Sequence, residues 1–353
     1  MKNIILFLII FIFISTYSFA FINEFSLNNK IEIANYYNSN ILKLSSENIN
    51  EFKENLKPDK YHIKSVDDFV TSFRCELAFK HKLTFGHTQI DKIVFKYNRY
   101  WNNNIKDLRY FSIQFIQFWS RYFDFSGKYF YFPKIYINHY NSLLDNEDVY
   151  RKFSYSKNVY RSGMNIKFVD LIHFGYQFEY SQNYYNKYFG EYDSDDFKHT
   201  FSITFLPYEN IRMKFRYSYK QSLAEAEKVF GDITGLYEIR DASYESNIYY
   251  GSFKIPIRKI KFASNLKLIT SLEFEERFFQ SKYSQNVDPY HSGRKDKIFS
   301  FEISLIYPIF YIFNVKGFYM YENRNVSALA GNFVADEKEY SVRKVGCLLS
   351  VKF

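Results

Sequence analysis

Ile211-Arg212-Met213-Lys214-Phe215-Arg216-Tyr217-Ser218-Tyr219-Lys220 places an apolar or aromatic residue at each odd position and a polar one at each even position. Successive side chains of a β-strand point to opposite faces, so this stretch reads as a strand with one apolar and one charged surface. The same period of two returns along most of the chain from about residue 68. Phe69, Thr71, Phe73, Cys75, Leu77 and Phe79 oppose Ser72, Arg74, Glu76 and Lys80. Phe197, Phe201, Ile203 and Phe205 alternate with Lys198, Thr200, Ser202 and Thr204. Leu266, Leu268, Leu272, Phe274 and Phe278 alternate with Lys267, Ser271, Glu273, Glu275 and Arg277, and Phe299, Phe301, Ile303, Leu305 and Tyr307 with Ser300, Glu302 and Ser304. Soluble sandwich strands average about 5–6 residues, whereas a strand tilted across a bilayer needs about 9–11. The runs here are of the longer kind.

Counting them gives about fourteen strands, with twelve to sixteen as the bounds. They fall near 68–80, 92–100, 108–123, 129–140, 150–160, 163–169, 172–185, 197–205, 211–219, 242–255, 264–278, 296–307, 314–325 and 339–353. In the C-terminal half the links alternate, short near 206–210, 256–263 and 308–313, long and polar near 186–196, 220–243, 279–295 and 326–338. Short turns on one rim and long loops on the other are what a membrane barrel requires. The expected fold class is therefore all-β, a transmembrane antiparallel up-and-down β-barrel over 68–353. Composition agrees without deciding: Tyr and Phe number 35 and 41, Gly and Pro 12 and 6, and mean hydropathy is -0.35. Alternating faces cancel in such an average, but an AT-rich genome would also enrich Phe, Tyr, Asn, Lys and Ile.

The first twenty residues have the layout of a secretory signal. Lys2 is their only charge, an apolar run extends from Ile4 to Ile14, and Ser18-Phe19-Ala20 offers small residues at a cleavage site. The run is short for an anchor helix of roughly 20 residues, so residues 1–20 are expected to be cleaved on export to the bacterial outer membrane. No later stretch is apolar enough to span as a helix. Loss of Lys2 takes the net charge from +9 to +8, which suits an acidic partner such as lipopolysaccharide and is no nucleic-acid footprint. Residues 21–67 are polar and Asn-rich. They are expected as an N-terminal periplasmic segment, a small plug, a flexible leader, or an extra strand near Ile31–Tyr37, with a short helix around Ser46–Leu56 before Pro58. They are too few for the plug of a TonB-dependent transporter.

The last strand carries the most specific signal. Val345, Cys347, Leu349, Val351 and Phe353 form one apolar face ending in an aromatic, and this resembles the C-terminal signal of outer-membrane proteins. The resemblance implies recognition by the barrel assembly machinery. More loosely, a barrel of this size with Arg294 and Asp296 opening its closing hairpins resembles the C-terminal domain of surface lipoprotein assembly modifiers. That likeness covers the barrel region, lacks the family's helical-repeat domain, and carries over no functional residue.

No catalytic constellation, metal-ligand spacing or cofactor motif emerges. The seven His are scattered, His81 and His87 flank an expected outer turn, and Asp288-Pro289-Tyr290-His291-Ser292-Gly293-Arg294 reads as turn chemistry first. Cys75 and Cys347 fall on the apolar parity of the first and last expected strands. Pairing of those strands would bring the two together, and an oxidising compartment would permit a disulfide; two small lipid-facing residues is the alternative. Polar faces should line the lumen: Arg212, Lys214 and Arg216 as a basic ladder with Lys198 across the hairpin, and Glu273, Glu275, Arg277 and Glu302 on another wall. Opposed charges can orient permeating solutes or interlock and narrow the barrel. Tyr110, Trp119, Tyr122, Tyr249, Tyr250, Tyr319 and Tyr321 are candidates for the aromatic girdles. The functional expectation is a channel or transport protein for small solutes, with outer-membrane lipid as its surroundings. An export or assembly barrel for a surface lipoprotein or polymer is the alternative, and an outer-membrane hydrolase is a third. Oligomeric state is not legible.

Overall fold

The computed structural model describes residues 25–83, 86–141, 149–208, 211–225, 240–257, 265–310 and 312–353, so the signal segment expected at 1–20 lies outside the described residues. Period-two alternation is realised as fourteen strands: β1 (Phe25–Asn38), β2 (Asp68–Lys82), β3 (Thr88–Tyr100), β4 (Leu108–Phe118), β5 (Phe123–Asn141), β6 (Tyr150–Val169) and β7 (Ile172–Tyr185), then β8 (Ser194–Phe205), β9 (Arg212–Ala224), β10 (Tyr244–Ile257), β11 (Leu266–Phe279), β12 (Lys295–Pro308), β13 (Phe313–Ser327) and β14 (Tyr340–Lys352). Each pairs antiparallel with its sequence neighbours, and β1 also pairs with β14, closing the barrel. Among the described residues two short α-helices, α1 (Ser46–Lys53) and α2 (Asn332–Lys338), sit in the loops.

The count matches the expectation, but its composition does not. Residues 150–169 form one strand rather than two, because Ser162 and Gly163 stay in register with Phe178 and Gln177. A glycine in a strand looks like a breaker in sequence, but here the ladder runs through it. The strand gained is β1, which takes in the extra strand offered near Ile31–Tyr37 as one reading of 21–67. Its outward row includes Asn29 and Asn35 beside Leu27 and Ile33, and these two asparagines blur the alternation.

One parity faces out and the other in. Phe69, Phe201 and Phe215 are 59%, 55% and 49% exposed, the exposure of side chains that meet lipid. Two expected girdle residues are corrected. Tyr110 shares the inward register of Lys96, and Tyr250 that of Arg216, whereas Tyr249, Tyr319 and Tyr321 have the outward parity.

β1 begins and β14 ends on the same rim, which also carries the β2–β3, β4–β5, β6–β7, β8–β9, β10–β11 and β12–β13 connections. In barrels of this type the short turns face the periplasm and the long loops face outward. The turn beside His81 and His87 is therefore on the periplasmic rim, not the outer one. Residues 39–67 link β1 to β2 on the opposite rim, with the longer loops. Ile41, Leu42 and Leu44 are buried with Tyr61 against Val70 of β2, Tyr100 of β3 and Tyr136 of β5. Ser45 caps α1 by accepting from the Asn48 N–H at 3.1 Å. The helix expected at 46–56 is thus present but ends at Lys53.

The position of β1 also decides the cysteines. Cys75 pairs with Ile31 and Cys347 with Asn35, on opposite edges of β1. Two inter-strand spacings of about 4.8 Å already exceed the roughly 7 Å that a disulfide can span between Cα atoms, and the four-residue offset adds more. Both thiols are free, so of the two readings the seam disulfide does not form and two small residues on the outward parity remain.

The seam is instead a tight backbone contact. Nine register pairs join β1 to β14, from Lys30–Lys352 to Asn38–Lys344. Asn29 and Phe353 exchange backbone hydrogen bonds of 2.7 and 3.1 Å beyond one end. A Cβ on Gly346 would lie 2.4 Å from the Asn35 carbonyl oxygen and 2.7 Å from the Tyr36 Cα. Neither is a flexible tip that can move aside. Gly346→Val is expected to destabilise the barrel by about 1–3 kcal/mol, read as a lower temperature of conversion to the slow-migrating unfolded form on gels. Gly317→Ala, where an added Cβ meets nothing within 4 Å, should leave that temperature unchanged.

Candidate functional site in the lumen

The inner face carries a series of ion pairs, some between positions directly opposite each other, such as Glu32–Arg74 and Arg161–Glu179, and others diagonal or two residues apart on one strand. On β1–β3, Glu32 accepts from Lys30 at 2.5 Å and from Arg74 at 2.7 Å, and Arg74 continues to Glu76, which lies 3.4 Å from Lys92. On β6–β7, Arg161 donates twice to Glu179. Asp196 of β8 takes Lys220 at 3.0 Å and Lys157 at 3.7 Å. Near the outer loops, Arg294 grips Asp296 with two hydrogen bonds of 2.8 and 3.0 Å, and Arg324 adds a third at 2.8 Å. Asp296 is wholly buried there, so removing either arginine would leave an under-compensated buried charge.

The expected basic ladder and acidic wall are not opposed across the lumen. Arg212, Lys214 and Arg216 of β9 are separated from β11 by β10 alone. Arg216 lies 3.7 Å from Glu273 and stacks 3.7 Å from the centre of the intervening Tyr250 ring. Arg277 turns back to Glu275 at 2.9 Å, and Glu302 is taken by Lys316 at 2.6 Å. Lys198 stands opposite Lys220 in register. Lys198 and Lys214 form no ion pair among the described residues. The charges have interlocked along the wall.

The small plug offered as one reading of 21–67 is the nearest expectation to the element at this rim, but its contacts were not legible in the sequence. From 39–67, Lys43 reaches Glu322 of β13 at 2.5 Å, and the Tyr340 hydroxyl donates to the same carboxylate at 2.7 Å. Asn40 donates to the Ser341 carbonyl at 3.3 Å, and Asn48 to the Glu337 carbonyl, in α2, at 3.1 Å. The loop is braced internally by Glu51, which receives Lys60 at 2.8 Å and the Tyr61 hydroxyl at 2.7 Å. Burial alone would raise the Glu51 carboxyl, but hydrogen bonds from Lys57, Lys60 and Tyr61 bring it down to about 2. The run of paired polar residues among buried aliphatics at 40–48 was the available signal; without its partners on β13, β14 and α2 it reads as a leader.

The stretch Asp288–Arg294 reads in sequence as turn chemistry first, and its Ser292 bonds the Asp288 carbonyl through its backbone N–H at 3.0 Å, while the hydroxyl on the Asp288 carboxylate comes from Ser281. Asp288 accepts the Ser281 hydroxyl at 2.7 Å, the Asp241 N–H at 2.9 Å and bonds His291 Nδ1 at 2.8 Å. Hydroxyl and imidazole bond the same carboxylate, whereas a relay needs the hydroxyl on the imidazole. These contacts staple the loop to the start of β10. A polar cavity of about 230 Å³ lies along the wall from β6 to β11. A depression of about 1040 Å³ on the same side is lined mainly by outward residues such as Phe201, Phe215 and Phe253, and it faces lipid.

A closed antiparallel barrel with an apolar exterior and a charged, hydrogen-bonded interior is a transmembrane β-barrel of the outer-membrane type. No family model matches the chain, and no curated protein matches it in sequence. Solved barrels are similar to it in architecture. A bacterial polysaccharide outer membrane secretin has TM-score 0.46 and 7% identity, covering 92% of this chain and 98% of that one. OmpT of Vibrio cholerae in its trimer form has TM-score 0.47 and 7% identity, covering 94% and 100%. An anion-selective porin from Comamonas acidovorans has TM-score 0.42 and 7% identity, covering 94% and 99%. At these values the class rests on the chain's own strand pairing.

Two outcomes are expected of the outer loops. Lys43→Met should free the 39–67 loop from the wall, measured as faster amide exchange at 40–48 with the barrel's own melting little changed. Glu191, in the β7–β8 connection, is buried with an Oε1 that accepts no hydrogen bond. Burial raises its carboxyl to about 7, with Arg240 opposing and Asp193 reinforcing the shift. A folded value above the ordinary 4.5 means that the packing is fully stable below about 4.5 and weakens as pH rises through about 7. Amide exchange at 186–193 should accelerate over that interval, and Glu191→Gln should flatten the profile.

Proposed function

We propose that this protein is a channel for small solutes in a bacterial outer membrane, narrowed at its outer end by the loop 39–67. The observation that carries this reading is the polar inner wall with open space beside it, about 230 Å³ bordered by charged side chains. A barrel serving only as a membrane anchor has no need of a charged wall beside free volume. The loop that reaches Glu322 and Tyr340 from the outer rim supplies a restriction at which solutes are sorted by size.

In this reading residues 1–20 act as a cleaved signal, Val345, Leu349, Val351 and Phe353 present the strand that the assembly machinery engages, and lipid and lipopolysaccharide surround the outer face. The export alternative would call for a weak lateral seam, whereas β1 and β14 pair over nine registers. The hydrolase alternative would call for a Ser, Thr or Cys bonded to a histidine, and among the described residues the hydroxyls that bond His139 and His199 are those of Tyr136 and Tyr176.

Purified protein, first shown to be folded by heat-modifiable migration, should give stable single-channel steps in a planar bilayer. A variant with residues 46–60 replaced by a short Gly-Ser link should conduct several times more. Folded protein that is silent in both forms would sink the channel reading.

A further inference from the structure

We propose that the inner wall between β6 and β11 binds a small anion through its carboxylate or phosphate group, with Lys198 and Lys214 as the receiving cations and Arg161 and Arg216 at the flanks. This deepens the channel reading and rests on it for its physiological sense, although binding itself can be measured without transport.

The first observation is charge. The 230 Å³ cavity is bordered by Arg161, Lys198, Lys214 and Arg216 and by only two carboxylates, Glu179 and Glu273. Four cations against two anions leave a surplus of two positive charges. Both carboxylates are already engaged at the edges, Glu179 by Arg161 and Glu273 by Arg216. The surplus therefore resides on Lys198 and Lys214, which have no ion pair among the described residues. Lys198 stands between Glu179, which Arg161 already engages, and Lys220, which Asp196 holds, and Lys214 lies between Arg212 and Arg216 on one face of β9. Like charges held this close raise the local potential and attract an anion more strongly than an isolated lysine would.

The second observation is shape. The cavity exists because the inward positions between the long cations are small, namely Ser126, Gly163, Gly175, Ser202 and Ser218. That floor is close-packed. A Cβ on Gly175 would lie 2.6 Å from the Ser202 Oγ and 2.8 Å from the Asn165 Oδ1, so the polar atoms of neighbouring strands meet where a side chain would stand. Thr200 and Ser218 hydroxyls bond each other at 2.9 Å, and Tyr250 is fixed under the Arg216 guanidinium. The result is a small polar recess whose long flexible members are cationic. At about 30 Å³ per water, it holds roughly the volume of seven or eight waters, suited to phosphate or a short dicarboxylate and too small for a polymer.

The test uses the full chain and the double variant Lys198→Gln/Lys214→Gln, with Lys198→Arg/Lys214→Arg as the charge-retaining control. Reversal potentials are measured in a KCl gradient, and chloride current is titrated with inorganic phosphate and, separately, succinate. Expected are anion preference in the native chain, block of chloride current by one or both probes, and block weakened about tenfold in the Gln variant but retained in the Arg variant. Block by phosphate alone or by succinate alone identifies which acid group is preferred. A conducting channel that prefers cations, or whose block is the same in native and Gln forms, overturns the anion site and leaves the channel standing. If folded protein conducts nothing, the channel reading fails, and calorimetric titration of phosphate and succinate into the detergent-solubilised chain decides the site. Binding lost in the Gln variant then supports it, and absence of binding overturns it.

Discussion

Every backbone N–H and C=O that enters hydrocarbon must find a partner within the protein, since an unpaired group there costs several kcal/mol. The rest of this structure follows from that requirement. A flat sheet of these strands would leave two edges open, and β1 removes both by pairing with β2 on one side and β14 on the other. Closure brings Gly346 against the Asn35–Tyr36 backbone and places Cys75 and Cys347 on opposite sides of an intervening strand. A polar, Asn-rich segment thus becomes a wall strand because a closed ladder needs it, although its apolar content is modest.

Closure also forces half of all strand residues into a confined interior. A charge placed there loses water and regains stability only from a partner of opposite sign, and an up-and-down barrel offers partners chiefly on adjacent strands. This is why Glu32, Glu76, Glu179 and Asp196 each meet a cation on a neighbouring strand, and why Arg216 of β9 reaches only one strand further, to Glu273 of β11, rather than facing an acidic wall across the lumen. Pairing is incomplete on the side with more bases than acids. There the same confinement that stabilises an ion pair makes the unmatched lysines a place for an outside anion.

The outer rim follows a different physics from the wall. Its segments are wet on one side and build small cores of their own: Ile41, Leu42 and Leu44 against Val70 and Tyr100, and Phe189, wholly buried, edge-on to Phe153 at 4.7 Å. Such cores hold loops across an opening that strand pairing alone would leave clear. The Lys43–Glu322 contact joins the two regimes, since its lysine belongs to a loop and its carboxylate to the lumen wall.

What the sequence by itself determined is the fold class and the two faces of most strands. Period-two alternation is a local property, and residues such as Phe215, Arg216 and Tyr217 declare their sides without reference to any distant partner. Even the C-terminal strand from Val345 to Phe353 is legible in this way. Local pattern failed where the local signal was ambiguous: at Ser162–Gly163, which remain in the ladder, and at Tyr110 and Tyr250, which turn inward; at β1, whose asparagines blur its period, it left the strand as one of several readings. Only the tertiary structure decided which strand closes the barrel, which charges neutralise one another, that 39–67 covers the outer end, and that Lys198 and Lys214 border open space. Those are facts about residues far apart in the chain, and they depend on register and closure, which a single strand's side-chain pattern cannot encode.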